Sequence, residues 1–192
     1  MTSTKQYKLL SVKMLDNIAL VTLTRPAKRN AINLDLVSEL NQCFQSFSEN
    51  VKAIILNSEG DHFCAGLDLV VGGGLELASA THIRIAESTA FYALPEGKRG
   101  LFVGGGGSVR ISRLIGVNRM TDLMLTGRVL NAEEGQQIGV STYLTEPGKG
   151  LDKALELAKG IASNAEMTNY AVMHMLPRIA DQNIQDGLAT EP

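Results

Sequence analysis

Two glutamates and a glycine triplet are the residues of this sequence best suited to chemistry. Gly72, Gly73 and Gly74 stand together, Glu76 follows them, and Glu96 lies between a proline and a glycine at the end of the run Val70–Glu96. Glycines let a backbone approach a ligand closely and expose its N–H groups. Two carboxylates converging on one spot can divide acid and base work between them. The combination suits a site that holds a developing oxyanion and moves protons beside it.

Other chemistries fit the sequence less well. A second glycine cluster, Gly104 to Gly107, raises the possibility of a phosphate cradle, but Leu77 and Val109 stand where G-x-G-x-x-G needs its third glycine. Neither cluster ends in the Gly-Lys-Ser/Thr of a P-loop. Gly104–Gly107 reads instead as close backbone packing or helix entry. There is no G-x-S-x-G nucleophile elbow. Cys64 has His62, His82 and His174 as candidate bases, yet no spacing supports a pairing, and Cys64 and Cys43 read as small core residues. The histidines make no H-E-x-x-H pattern, so no metal site is expected, and His82 reads as the start of a strand. Taken singly, Glu76 reads as an acid in the first turn of a helix and Glu96 as an exposed loop residue. Their joint context selects them.

The elements that must position these residues follow from periodicity. Residues 7–15 and 18–24 read as strands joined at Asp16-Asn17, and Pro26 stops the second. Asn33 or Asp35 caps a helix with Leu36, Val37, Leu40, Phe44 and Phe47 on its stripe. AIILNS, residues 53–58, suits a buried parallel strand. Strand, strand, helix, strand predicts an α/β layout with a partly parallel sheet. A helix should start after the glycine triplet, with short strands in HIRIAE and AFYAL. An amphipathic segment follows the second glycine cluster, and a helix covers roughly 119–126. Asn131 with Glu134 forms a capping-box pattern. VSTYLTEP reads as a strand and GLDKALELAKGIASN as an amphipathic helix, with Leu151, Ala154, Leu155, Leu157, Ala158 and Ile161 inward. Residues 168–180 read as a last helix, interrupted at Pro177.

Composition sets the frame. The 192 residues are 44% hydrophobic and 20% charged, enough for one sizeable soluble domain. A formal net charge of -2 offers no argument for nucleic acid or an anionic membrane. Two cysteines form no disulfide framework, and no apolar run reaches the length of a bilayer span. A soluble, reducing, cytoplasmic setting is expected, with no signal peptide in MTSTKQYKLL.

From about Val12 to Gly187 the chain resembles the crotonase superfamily, the enoyl-CoA hydratase/isomerase family. The resemblance rests on RPAKRNAIN (Arg25–Asn33), FCAGLDL (Phe63–Leu69), VVGGGLELA (Val70–Ala78), ALPEGKRGLFVGGGG (Ala93–Gly107) and LTGRVLNAEEGQQIGVS (Leu125–Ser141). Each motif is weak alone; their order and spacing together are specific. The resemblance implies a crotonase-like α/β fold, a spiral core of ββα repeats with C-terminal helices. It implies an acyl-CoA thioester substrate whose oxyanion is held by the backbone N–H groups of Leu67 and Gly73. It also implies Glu76 as the base that activates water and Glu96 as the acid that protonates the α-carbon. CoA contacts are implied around Lys28, Ala65 and Asp68. No metal or redox cofactor is expected, coenzyme A being part of the substrate. A homotrimer or dimer of trimers is implied by family alone. The expected activity is hydration of a trans-2-enoyl-CoA. Alternatives are an enoyl-CoA isomerase, another acyl-CoA enzyme of the family, or a non-catalytic acyl-CoA-binding or scaffold module.

The sequence departs from the family at one junction. A few dozen residues normally separate the LDL loop from the glycine triplet, yet here Val70 follows Leu69 directly. The expectation is a single crotonase-like domain, residues 1–192, lacking that segment and the family's closing helices. A strand and a parallel crossover both need more chain than this junction offers. The two oxyanion loops are therefore expected to be hard to bring together.

Overall fold

The computed structural model describes residues 7–66 and 72–190. β1 (Leu10–Leu15) and β2 (Ile18–Leu23) form an antiparallel hairpin, and β3 (Ala53–Ser58) joins β2 in parallel, Ile18 opposite Ala53 and Leu23 opposite Ser58. Asp16 takes the left-handed conformation at the hairpin turn, φ 53°. The crossover to β3 carries α1 (Leu34–Ser46), whose N-cap is Asn33: its side chain accepts the Leu36 N–H at 2.9 Å.

β2 is the middle strand, and its Ile18, Ala19, Val21 and Leu23 are all buried. One side of the sheet packs on α1 through Leu10, Val21, Leu23, Leu36, Leu40 and Cys43. Cys43 is a core residue, as its place beside the stripe predicts; Val37 and Phe44, expected inward, are exposed. Ile18 and Ile55 meet α6 (Gly150–Ala162) through Ala158, with Leu155 and Ala154 partly buried around it. Leu151 is exposed at the start of that helix, where the inward stripe was expected to begin.

Between β3 and α6 the chain runs through α2 (Gly73–Ser79), β4 (Ile85–Glu87), β5 (Phe91–Ala93), α3 (Gly107–Ile115), α4 (Val117–Thr126), β6 (Val129–Asn131), α5 (Ala132–Gln137) and β7 (Tyr143–Thr145). β4 pairs in parallel with β7, and β5 pairs antiparallel with β6. The Asn131–Glu134 capping box forms, with Asn131 accepting the Glu134 N–H at 2.8 Å and Glu134 accepting the Asn131 N–H at 2.9 Å. His82 lies in a bend ahead of β4 rather than at its start. The β6 strand was not anticipated, because three residues before a cap carry too little periodicity.

A second core gathers Leu94, Val103, Ile111, Ile115, Met120, Leu123, Leu130 and Val140. α2 bridges the cores: Leu75 packs on this one and Leu77 on the sheet–α1 core. Glu76 thus leaves the helix at the seam between two apolar bodies.

The chain closes with α7 (Glu166–Tyr170), a π-helical stretch Ala171–Met175, α8 (Leu176–Ala180) and α9 (Ile184–Thr190). Pro177 sits in the first turn of α8, where a missing N–H costs little, and the wide turn ahead of it absorbs the interruption. α9 lies beyond the helix expected to be last.

Candidate active site

Three short segments build the site. The first is the turn Arg25–Asn33 with the loop 59–66. Asn30 is fully buried with φ 53°. Its Oδ1 accepts the Arg25 N–H at 2.9 Å, and its Nδ2 donates to the carbonyls of Glu59 at 2.8 Å and His62 at 2.7 Å. The Ala65 N–H donates to the Arg29 carbonyl at 2.9 Å, and the Ile32 N–H to the Gly66 carbonyl at 2.7 Å. Lys28, exposed at the end of the 3-10 turn Pro26–Lys28, is thereby held next to the Ala65 segment. Leu67 and Asp68 lie outside the described residues.

The second segment is the start of α2. Gly72 precedes the helix with φ 118°, and Gly73 is its buried first residue, whose N–H has no acceptor within the helix. Gly74 lies directly against the Cys64 carbonyl, where a β-carbon has no room. α2 and the Cys64 loop are thus in direct contact, while the Leu69–Val70 junction itself lies outside the described residues. The missing β-carbon at Gly74 lets helix and loop backbones meet.

The third segment is the 3-10 turn Pro95–Arg99, opened by Pro95 and carrying Glu96. Glu96 is only 3% exposed, which overturns the exposed-loop reading. Its carboxylate fills the space where Gly72 would carry a β-carbon. Its Oε2 is buried without a hydrogen-bond partner. Burial raises the Glu96 carboxyl from its ordinary value; its own backbone N–H opposes the rise, the charge of Glu76 adds to it, and Arg99 opposes it. Such a carboxyl gives up its proton less readily than a solvated glutamate.

Glu76 is half-buried, and its Oε1 accepts the Gly107 N–H at 3.1 Å. A β-carbon on Gly105 would stand 3.0 Å from Glu76 Oε2. The second glycine cluster is helix entry, as expected: Gly106 caps α3 with φ 92°. It is also the wall against which the Glu76 carboxylate rests, which the sequence did not disclose. Asn30 was missed too, although it falls inside a motif that carried the resemblance.

Comparison with known proteins identifies the family and the fold. The family model described as enoyl-CoA hydratase/isomerase matches residues 13–72 and 69–191, two stretches that overlap at the short junction. A Bacillus subtilis (strain 168) protein assigned as an enoyl-CoA hydratase/isomerase, YngF, is 29% identical over 218 aligned positions, covering 92% of this chain and 84% of its own length. An enoyl-CoA isomerase/hydratase of Zymoseptoria tritici is 33% identical over 75% of this chain and 66% of its own length. A crystal structure from Rhodopseudomonas palustris CGA009, assigned as an enoyl-CoA hydratase, superimposes with TM-score 0.91 at 44% identity, covering 95% of this chain and 86% of that one. The chain has the crotonase fold and belongs to the enoyl-CoA hydratase/isomerase family.

Proposed function

We propose that the protein is an enoyl-CoA hydratase that adds water across the double bond of a trans-2-enoyl-CoA. The reading is carried by one observation: a buried Glu96 carboxyl whose Oε2 has no partner and whose proton is held more tightly by burial, within the electrostatic reach of Glu76. In this scheme Glu76 takes a proton from water as the water oxygen bonds to the β-carbon. The double-bond electrons move onto the thioester oxygen, where the Leu67 and Gly73 N–H groups stabilise the charge. Fixed donors of this kind are typically worth about 10²–10³ in rate each. The oxyanion then collapses as the α-carbon takes the Glu96 proton. Water has been added, Glu76 is left protonated and Glu96 ionised. Proton exchange with solvent after product release resets the pair.

Lys28, Ala65 and Asp68 are proposed to contact the CoA portion. The scheme needs neither a metal nor a redox cofactor, because thioester, carboxylates and backbone supply the chemistry. We read the chain as one crotonase-like domain shortened between Leu69 and Val70. The overlapping family match supports this, as does an alignment of 218 positions to a chain of 192 residues. Assembly as a homotrimer or dimer of trimers and a cytoplasmic location belong to the same reading. No helix among the described residues is long and apolar enough to cross a membrane.

The isomerase reading draws on the name of the Zymoseptoria relative. Isomerisation moves one proton from C2 to C4 and needs a single carboxylate, so it leaves one of the two glutamates without work. Comparing hydration of crotonyl-CoA with double-bond migration in a 3-enoyl-CoA separates the two. Hydration as the dominant activity supports the proposal; migration without hydration overturns it.

A further inference from the structure

The hydration scheme gives the glycine cluster 104–107 no role, yet this cluster touches Glu76 from two sides. The Gly107 N–H, the first of the nine-residue α3, donates to Glu76 Oε1 at 3.1 Å. A β-carbon on Gly107 would stand 2.8 Å from Glu76 Cγ and 2.9 Å from Oε1, and nearer still to Val103 Cγ1. One on Gly105 would stand 3.0 to 3.1 Å from all three atoms of the carboxylate. Between them Gly106, at φ 92°, makes the left-handed bend that turns the start of α3 toward α2. The carboxylate occupies a notch left by two absent side chains, closed at its end by a backbone donor.

We infer that Gly107 is a positioning residue for Glu76: its N–H fixes Oε1, and its missing β-carbon leaves the carboxylate room to lie where it can reach water. The inference rests on the proposed role of Glu76 as base. It gives the second glycine cluster a function in proton transfer, distinct from phosphate binding and from mere helix entry. Holding Oε1 leaves Oε2 for the water proton. A helix N-terminus also suits an ionised carboxylate, since its first N–H groups lack intrahelical acceptors and its positive end faces the charge.

The test is a double-mutant cycle of Gly107→Ala with Glu76→Gln, read as kcat and KM for crotonyl-CoA. Displacing a reacting group by about 1 Å costs on the order of 10² in rate. Gly107→Ala should therefore lower kcat by about 10- to 100-fold and leave KM within about two-fold. On the Glu76→Gln background it should cause no further loss, because the group it positions is already disabled. Val103→Ala combined with Gly107→Ala removes the overlap with Val103, preserving the fold if the single variant loses it, and kcat should stay low. Equal losses on both backgrounds, or a folded Gly107 variant with kcat within about two-fold of the parent, would overturn the inference. Unchanged turnover in Glu76→Gln alone would instead sink the role proposed for Glu76.

Discussion

Gly74 rests on the backbone carbonyl of Cys64, and the Cys64 Cβ lies 3.2 Å from where a Gly74 β-carbon would stand. This contact joins the start of α2, which carries the proposed donor Gly73, to the loop that leads toward Leu67. There the Cys64 loop and the start of α2 meet backbone to backbone.

Gly74→Ala should pry these segments apart. Overpacking of this kind typically costs about 1–3 kcal/mol of stability. The kinetic cost should be larger, roughly 10² in kcat, because the oxyanion donors lose their alignment. Steady-state hydration kinetics alongside thermal melts would check both; an active variant with a lowered melting point would show the contact to be structural only.

Glu96 makes stability depend on pH. Its carboxyl is raised chiefly by burial, so the folded state holds the proton more tightly than the unfolded chain does. The associated stability is complete below the ordinary Glu range, about pH 4, and is lost as pH rises through the raised folded value. Glutamine does not titrate there. The melting-temperature advantage of Glu96→Gln over the parent should thus grow from about pH 4 upward and then level off. A difference that shrinks with rising pH would contradict the raised carboxyl.

Asn30 is a buried clip with both ends in use. Asn30→Ala leaves the Glu59 and His62 carbonyls and the Arg25 N–H short of a partner and puts alanine at φ 53°. Each unsatisfied buried group costs about 1–3 kcal/mol, with water recovering part. A loss of about 2–4 kcal/mol is expected by urea denaturation. A loss under about 0.5 kcal/mol, the range of an ordinary surface change, would remove Asn30 from the account.

How far the sequence disclosed this arrangement depends on the range of each interaction. The β1–β2 hairpin, the parallel β3, the Asn33 cap and the Asn131–Glu134 box were legible because their signals lie within a few residues. Glu76 and Glu96 were selected through motif context, while the burial of Glu96 against Gly72 was not visible in a Pro-Glu-Gly turn. The seat of Glu76 on Gly105 and Gly107 joins positions some thirty residues apart, and no local periodicity encodes such contacts. Val37 and Phe44 misled because a helical stripe gives the facing direction but not how wide a sheet will cover it.

The central claim is that Glu76 and Glu96 act as a coupled base and acid in hydration. Turnover of crotonyl-CoA by the parent, Glu76→Gln and Glu96→Gln tests it most directly. Each substitution should lower kcat by about 10²–10⁴ with the fold intact. Hydration by the parent with near-parental turnover in both variants would contradict the claim.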